Sequence, residues 1–147
     1  MCKNAVEKPM VYVICGYKNS GKTTLITKLI PLLNQKGYKV ATIKHDGHDF
    51  VGDVPGTDSY RHKTAGAYGT AVFSENRFQI VKEIPGITES DLMEFFPEAD
   101  IILIEGLKNS QYPKYICDYP NAIPNAEKIA DEIVRHILVK DLTMIRK

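Results

Sequence analysis

Met10-Val-Tyr-Val-Ile-Cys15, then Gly16-Tyr17-Lys18-Asn19-Ser20-Gly21-Lys22-Thr23, then Thr24-Leu25-Ile26-Thr27-Lys28-Leu29: this stretch decides the fold. A continuous apolar, β-branched run is the pattern of a strand buried on both faces, as in a parallel sheet. Gly16 ends it. From Lys22 to Lys36 the apolar residues Leu25, Ile26, Leu29, Leu32 and Leu33 recur at helical spacing. Gly37 supplies the stop, and Pro31 is expected to kink the helix. The eight residues between strand and helix match G-x-x-x-x-G-K-[ST] in full, in the setting that the motif's mechanism requires. Small residues let successive backbone N–H groups ring an anion, and the helix N-terminus adds partial positive charge. Gly16, Tyr17, Lys18, Asn19, Ser20 and Gly21 therefore form a phosphate cradle. Lys22 reaches the outer phosphates as a point charge, and the Thr23 hydroxyl ligates Mg²⁺. Thr24 is either a donor to an inner phosphate or an ordinary helix residue.

A metal-phosphate site needs an acid at the end of a neighbouring strand. Ile101-Ile102-Leu103-Ile104-Glu105-Gly106 provides one, with Glu105 placed to reach Mg²⁺ or orient an attacking water, and Gly106 permitting close approach to phosphate. Asp100 reads as a structural start residue. Tyr38 to Ile43 reads as a second strand, followed by a polar loop from Lys44 to Gly56. In a doubly wound sheet the end of that strand lies beside the phosphate loop, which makes Asp46 a second Mg²⁺ contact. His45, Asp46, His48 and Asp49 also invite a transition-metal reading, although no further Cys or His arrives at ligand spacing.

Thr57 or Asp58 caps a short helix to about Ala65, ended by Gly66. Arg61 on it is placed either to stabilise phosphate charge or on a solvated helix face. Thr70 to Phe73 and Phe78 to Ile84 flank Ser74-Glu75-Asn76-Arg77 at hairpin-like spacing, expected to put antiparallel strands on the parallel sheet. Thr88 caps a helix to about Phe96, Ile101 to Ile104 is a strand, and Lys114 to Cys117 is a shorter one. Asn125 caps a last helix with Ile129, Ile133, Val134 and Ile137 on one face. This alternation predicts an α/β sandwich around a central sheet. Lys108 and Lys114 form a small basic patch, open to a second anionic substrate or simply solvated.

Composition bounds the partners. The 147 residues are 44% apolar and 25% charged, with 19 Lys plus Arg against 18 Asp plus Glu. Residues 1–147 are expected to form one domain, since a chain of this length buries roughly 70% of its unfolded surface. A net charge of +1 provides no global field for nucleic acid or an anionic membrane. Cys2, Cys15 and Cys117 are odd in number and lack Cys-x-x-Cys spacing, so they read as reduced thiols of a cytoplasmic protein. The apolar run from Met10 is too short for a signal-peptide core or a membrane span.

Four blocks together carry a more specific likeness. They are Gly16 to Leu25, Ile43 to Phe50 (Ile-Lys-His-Asp-Gly-His-Asp-Phe), Asp58 to Ala67 (Asp-Ser-Tyr-Arg-His-Lys-Thr-Ala-Gly-Ala), and Ile104 to Lys114 (Ile-Glu-Gly-Leu-Lys, then Pro-Lys). In these the chain resembles the MobB family, the molybdopterin-guanine dinucleotide biosynthesis adapter proteins. The resemblance implies a P-loop NTPase-type three-layer sandwich, mainly parallel with an antiparallel hairpin and related to metal-insertion GTPases. It also implies GTP binding with Mg²⁺, weak hydrolysis, a homodimer, and assistance to the guanylyltransferase that attaches GMP to molybdopterin. No Asn-Lys-x-Asp guanine-reading motif occurs, so GTP preference follows from the resemblance alone. Leu107 stands where the family often has Phe.

The leading expectation is thus a GTP-binding adapter, at most a weak GTPase. A small-molecule kinase or ATP-dependent ligase is the alternative. Such enzymes cover the transferred phosphate with a mobile lid, often rich in Arg, and no such basic insertion is present. A metal-carrier GTPase reading rests on His45 and His48. The hairpin is the expected dimer surface, because an isolated pair of strands needs something to pack on.

Overall fold

The computed structural model describes residues 8–145; Cys2 lies outside them. Residues up to His45 together with those from Glu89 onward form one compact unit, and Asp46–Thr88 form another.

The first unit is built on a four-stranded parallel sheet in the order β2-β5-β1-β6. Its strands are β1 (Met10–Gly16), β2 (Val40–Lys44), β5 (Ile101–Glu105) and β6 (Lys114–Cys117). The numbers β3 and β4 belong to the second unit. Both apolar runs bury alternate residues on opposite faces, as a two-sided core demands. Tyr12 and Ile14 of β1 and Ile101 and Leu103 of β5 pack with Leu25, Leu29, Leu33, Ile129 and Ile133. These last come from α1 (Lys22–Gln35) and α4 (Ala126–Ile145). Val13, Cys15, Ile102 and Ile104 face the other way, with Ile43, Ala99 and the half-buried Leu92 and Met93. Leu92 and Met93 lie on α3 (Glu89–Met93), so helices cover both faces of the sheet. Asn125 caps α4 as expected, its side chain accepting from the Lys128 amide at 3.1 Å.

Several boundaries differ from the sequence reading for local reasons. α1 ends at Gln35, with Lys36 as its C-cap, one residue short of the expected helix and with Pro31 inside it as expected. β2 begins at Val40, not Tyr38, because the Tyr38 amide is used in closing α1, donating to the Leu33 carbonyl at 3.1 Å. α3 is shorter than the expected helix to Phe96. Phe95 and Phe96 close single turns onto Leu92 and Met93, and Pro97 disfavours helical geometry at the residue before it. The position of β2 is a correction: β5 stands between it and β1, so its end adjoins Glu105 rather than the loop after β1.

The second unit contains α2 (Asp58–Thr64), capped by Thr57, whose side chain accepts from the Tyr60 amide at 3.4 Å. It also contains a hairpin of β3 (Gly69–Ser74) and β4 (Arg77–Lys82), with Phe73 opposite Phe78 and Ala71 opposite Ile80. Among the described residues these strands pair only with each other. They do not extend the parallel sheet, contrary to expectation. One hairpin face lies over the preceding loop, where Val81 and Gln79 approach Gly52. The other carries Phe73, Phe78 and Ile80, exposed by 85%, 65% and 53%.

Candidate functional site

The carboxyl edge of the parallel sheet gathers the site. Register puts Gly16 beside Cys117 and Ile14 beside Glu105, so the loop leaving β1 is flanked by the ends of β5 and β6. Gly16 has φ 147, and a Cβ there would meet the Cys117 carbonyl and the Ser20 hydroxyl at 2.5 Å. No other residue fits. Asn19, at φ 61, takes a left-handed conformation that Asn tolerates better than most residues. Gly21, at φ 93, is the N-cap of α1 and brings no side-chain cap. The first-turn amides of a 14-residue helix are thus left to an external acceptor, the arrangement that suits an anion.

Lys22 is already aimed at the loop. Its ammonium donates to the Gly16 and Tyr17 carbonyls at 2.9 and 3.1 Å, which ties the helix start to the loop's first turn. The Thr23 hydroxyl donates to Glu105 Oε1 at 3.0 Å, so the hydroxyl and the strand-end carboxylate share one place. Two hard oxygen donors suit Mg²⁺, which keeps waters and takes phosphate oxygens for its remaining positions. The residues present therefore fit that ion. Among them no three His, Cys, Asp or Glu gather within the described residues, so nothing there resembles a closed structural metal cage.

Gly106 has φ 110, its amide donates to the Ile14 carbonyl at 3.0 Å, and a Cβ would stand 3.1 Å from the His45 carbonyl. Leu107 follows at φ 53, a conformation costing about 1–3 kcal/mol for a residue with a side chain. Leu107 and Tyr112 are both partly buried against the core cluster that contains Val13, Ile102 and Ile104. Cys117 backs Gly16, and burial, reinforced by Cys15, pushes its thiol up against the opposing pull of Lys22. A raised thiol is a packing group rather than a nucleophile.

Of the residues singled out from sequence, Gly16 to Thr24, Glu105 and Gly106 come together. Asp46 and Arg61 belong to the second unit. The Asp46 carboxylate closes a local turn by accepting the His48 amide at 3.1 Å. In the small basic patch, Lys114 donates to the Lys108 and Ser110 carbonyls at 2.6 Å each, so its ammonium braces the loop after β5. Sequence reasoning missed Tyr119, whose amide donates to the Ser20 carbonyl at 3.3 Å. The available signal was Asp118-Tyr119-Pro120, a turn directly after a strand that ends at this edge.

Parallel strands with helices on both faces, and a glycine-framed loop entering a helix beside a strand-end acid, define a protein of P-loop NTPase-like fold. The family described as "Molybdopterin guanine dinucleotide synthesis protein B" matches residues 11–135. The chain belongs to this MobB family. It is 36% identical over 128 residues to the molybdopterin-guanine dinucleotide biosynthesis adapter protein of Escherichia coli K12, covering 84% of this chain and 72% of that one. Against the Haemophilus influenzae protein of the same name it is 39% identical over 106 residues, covering 70% of this chain and 60% of the relative. The crystal structure of Bacillus subtilis MobB is similar, with a TM-score of 0.63, 32% identity, and coverage of 75% of this chain and 68% of that one.

Proposed function

We propose that this chain is a GTP-binding adapter protein of molybdenum cofactor biosynthesis, assisting the MobA-type guanylyltransferase that makes molybdopterin-guanine dinucleotide. Membership of the family supports the pathway. The single observation that supports nucleotide binding is the Thr23–Glu105 contact at 3.0 Å, set beside a helix start without a side-chain cap.

In this reading the loop from Gly16 to Gly21 presents its amides to the phosphates, and Lys22 exchanges its two carbonyl partners for outer phosphate oxygens. Thr24 serves an inner phosphate. Thr23 and Glu105 hold Mg²⁺, with Asp46 as a further contact. Bound there, the ion neutralises charge on the outer phosphates. Glu105 orients the attacking water, Gly106 lets the γ-phosphate approach the backbone, and Arg61 stabilises the developing charge. Hydrolysis is weak, as befits a switch. The protein works in the cytoplasm as a homodimer joined through the hairpin, whose Phe73–Phe78 face supplies the apolar surface.

Calorimetry with GTP and Mg²⁺ on wild type and Lys22→Ala tests the site. Loss of a charged hydrogen-bond donor is expected to weaken binding roughly 10- to 100-fold. Equal affinity in the two proteins would sink the reading. The adapter role is tested by pull-down from a native extract, in which the guanylyltransferase is expected among the captured proteins. A second substrate accelerating nucleotide turnover by orders of magnitude would point instead to a kinase or ligase.

A further inference from the structure

Resting on the nucleotide reading above, we infer that Tyr119 is the platform on which the base of the bound nucleotide stacks. Sheet order places β5 on one side of β1 and β6 on the other. Thr23 and Glu105, the metal-facing pair at 3.0 Å, mark the β5 flank of the loop. Mg²⁺ sits with the outer phosphates of a nucleoside triphosphate, so those phosphates occupy that flank. The polyphosphate then runs along the loop, and the nucleoside leaves over the β6 flank.

What waits there is the turn after β6. Tyr119 donates its amide to the Ser20 carbonyl at 3.3 Å, and its Cβ lies 3.6 Å from where a Cβ on Gly21 would stand. The side chain therefore starts at the rim of the cradle, while the residue stays 56% exposed. The turn is held in advance of any ligand. The Ala122 amide donates to the Asp118 carbonyl at 3.0 Å, and Asn121 Nδ2 donates to Asp118 Oδ1 at 3.3 Å. A large aromatic fixed at its backbone and exposed at its ring is the form a stacking platform takes. Every base has a π-face, so Tyr119 supplies affinity without selecting guanine. That agrees with a chain in which no Asn-Lys-x-Asp motif appears.

The test separates base from phosphate. Wild type, Tyr119→Ala, Tyr119→Phe and Tyr17→Ala are titrated calorimetrically with GTP and with inorganic tripolyphosphate, each with Mg²⁺. Tyr119→Ala is expected to bind GTP about 5- to 20-fold more weakly and tripolyphosphate as wild type does, while Tyr119→Phe keeps the affinity for both. Unchanged GTP affinity in Tyr119→Ala overturns the inference. So does an equal loss for tripolyphosphate, which would make Tyr119 a brace for the loop, and so does a base-dependent loss that appears in Tyr17→Ala instead. In each of those cases wild type still binds, and the nucleotide reading stands. A wild type that binds neither ligand removes both.

Discussion

At the scale of single residues, Gly16 carries the heaviest constraint. A methyl group there has no space against the Cys117 carbonyl and the Ser20 hydroxyl, both 2.5 Å away, and φ 147 is itself unfavourable for an L side chain. Gly16→Ala is expected to destabilise the protein by about 2–4 kcal/mol and to abolish nucleotide binding. Denaturant unfolding and calorimetry on one preparation check both, and a variant of wild-type stability would refute the account. The placing of Lys22, Thr23 and Glu105 at one sheet edge was legible because it follows from their spacing after apolar strands. The ammonium of Lys114 was not, because its two carbonyl partners come from a loop whose path is set by Leu107 at φ 53. Nothing in Ile-Glu-Gly-Leu-Lys announces that a leucine takes the left-handed conformation. Tyr119 escaped for a related reason: its neighbour Ser20 is distant in sequence.

At the scale of elements, β1, α1, β5 and α4 could be read directly, since two-sided burial leaves continuous apolar runs and helical faces leave three-and-four spacing; β6, which buries Cys117 and leaves Ile116 exposed, gave a weaker signal. The partners of β2 and of the hairpin could not be read, because pairing is non-local and both strands of the hairpin alternate adequately for either an extended sheet or a free one. The contact between β1 and α4 has a pH signature. Tyr12, fully buried, donates to Glu132 Oε2 at 3.2 Å, and its ring meets that of His136 at 6.1 Å between centroids. Burial first, and then the Glu132 carboxylate, push the phenol well above its ordinary value. The unfolded chain releases this proton near pH 10, before the folded one does. The contribution of Tyr12 is therefore complete below that pH and lost as pH rises towards the folded value. Tyr12→Phe is expected to cost about 1 kcal/mol at neutral pH and to show a shallower alkaline decline than wild type. Parallel stability curves from about pH 8 to about pH 11 would remove Tyr12 as the cause.

At the scale of the whole molecule, the chain is two units of unlike character. One is closed around a core on both sheet faces. The other ends in a two-stranded sheet with Phe73, Phe78 and Ile80 exposed, and an isolated hairpin is marginal in water. Pairing of two copies through that face should make hairpin stability depend on protein concentration. Hydrogen exchange of the β3 and β4 amides is expected to slow on concentration and to lose that dependence in Phe73→Ser with Phe78→Ser, with sedimentation shifting to monomer. An unshifted dimer would place the interface elsewhere. The sheet order has a consequence for how the protein is made. Among the described residues β1 pairs with β5 and β6, and β2 with β5, so the β1–β5 and β2–β5 pairs cannot close until residues 101–105 have left the ribosome. Until then the apolar run of β1 travels without its sheet, while the hairpin, whose two strands are neighbours in sequence, can already form. Met10 to Cys15 is therefore a stretch that a cellular chaperone would hold during translation.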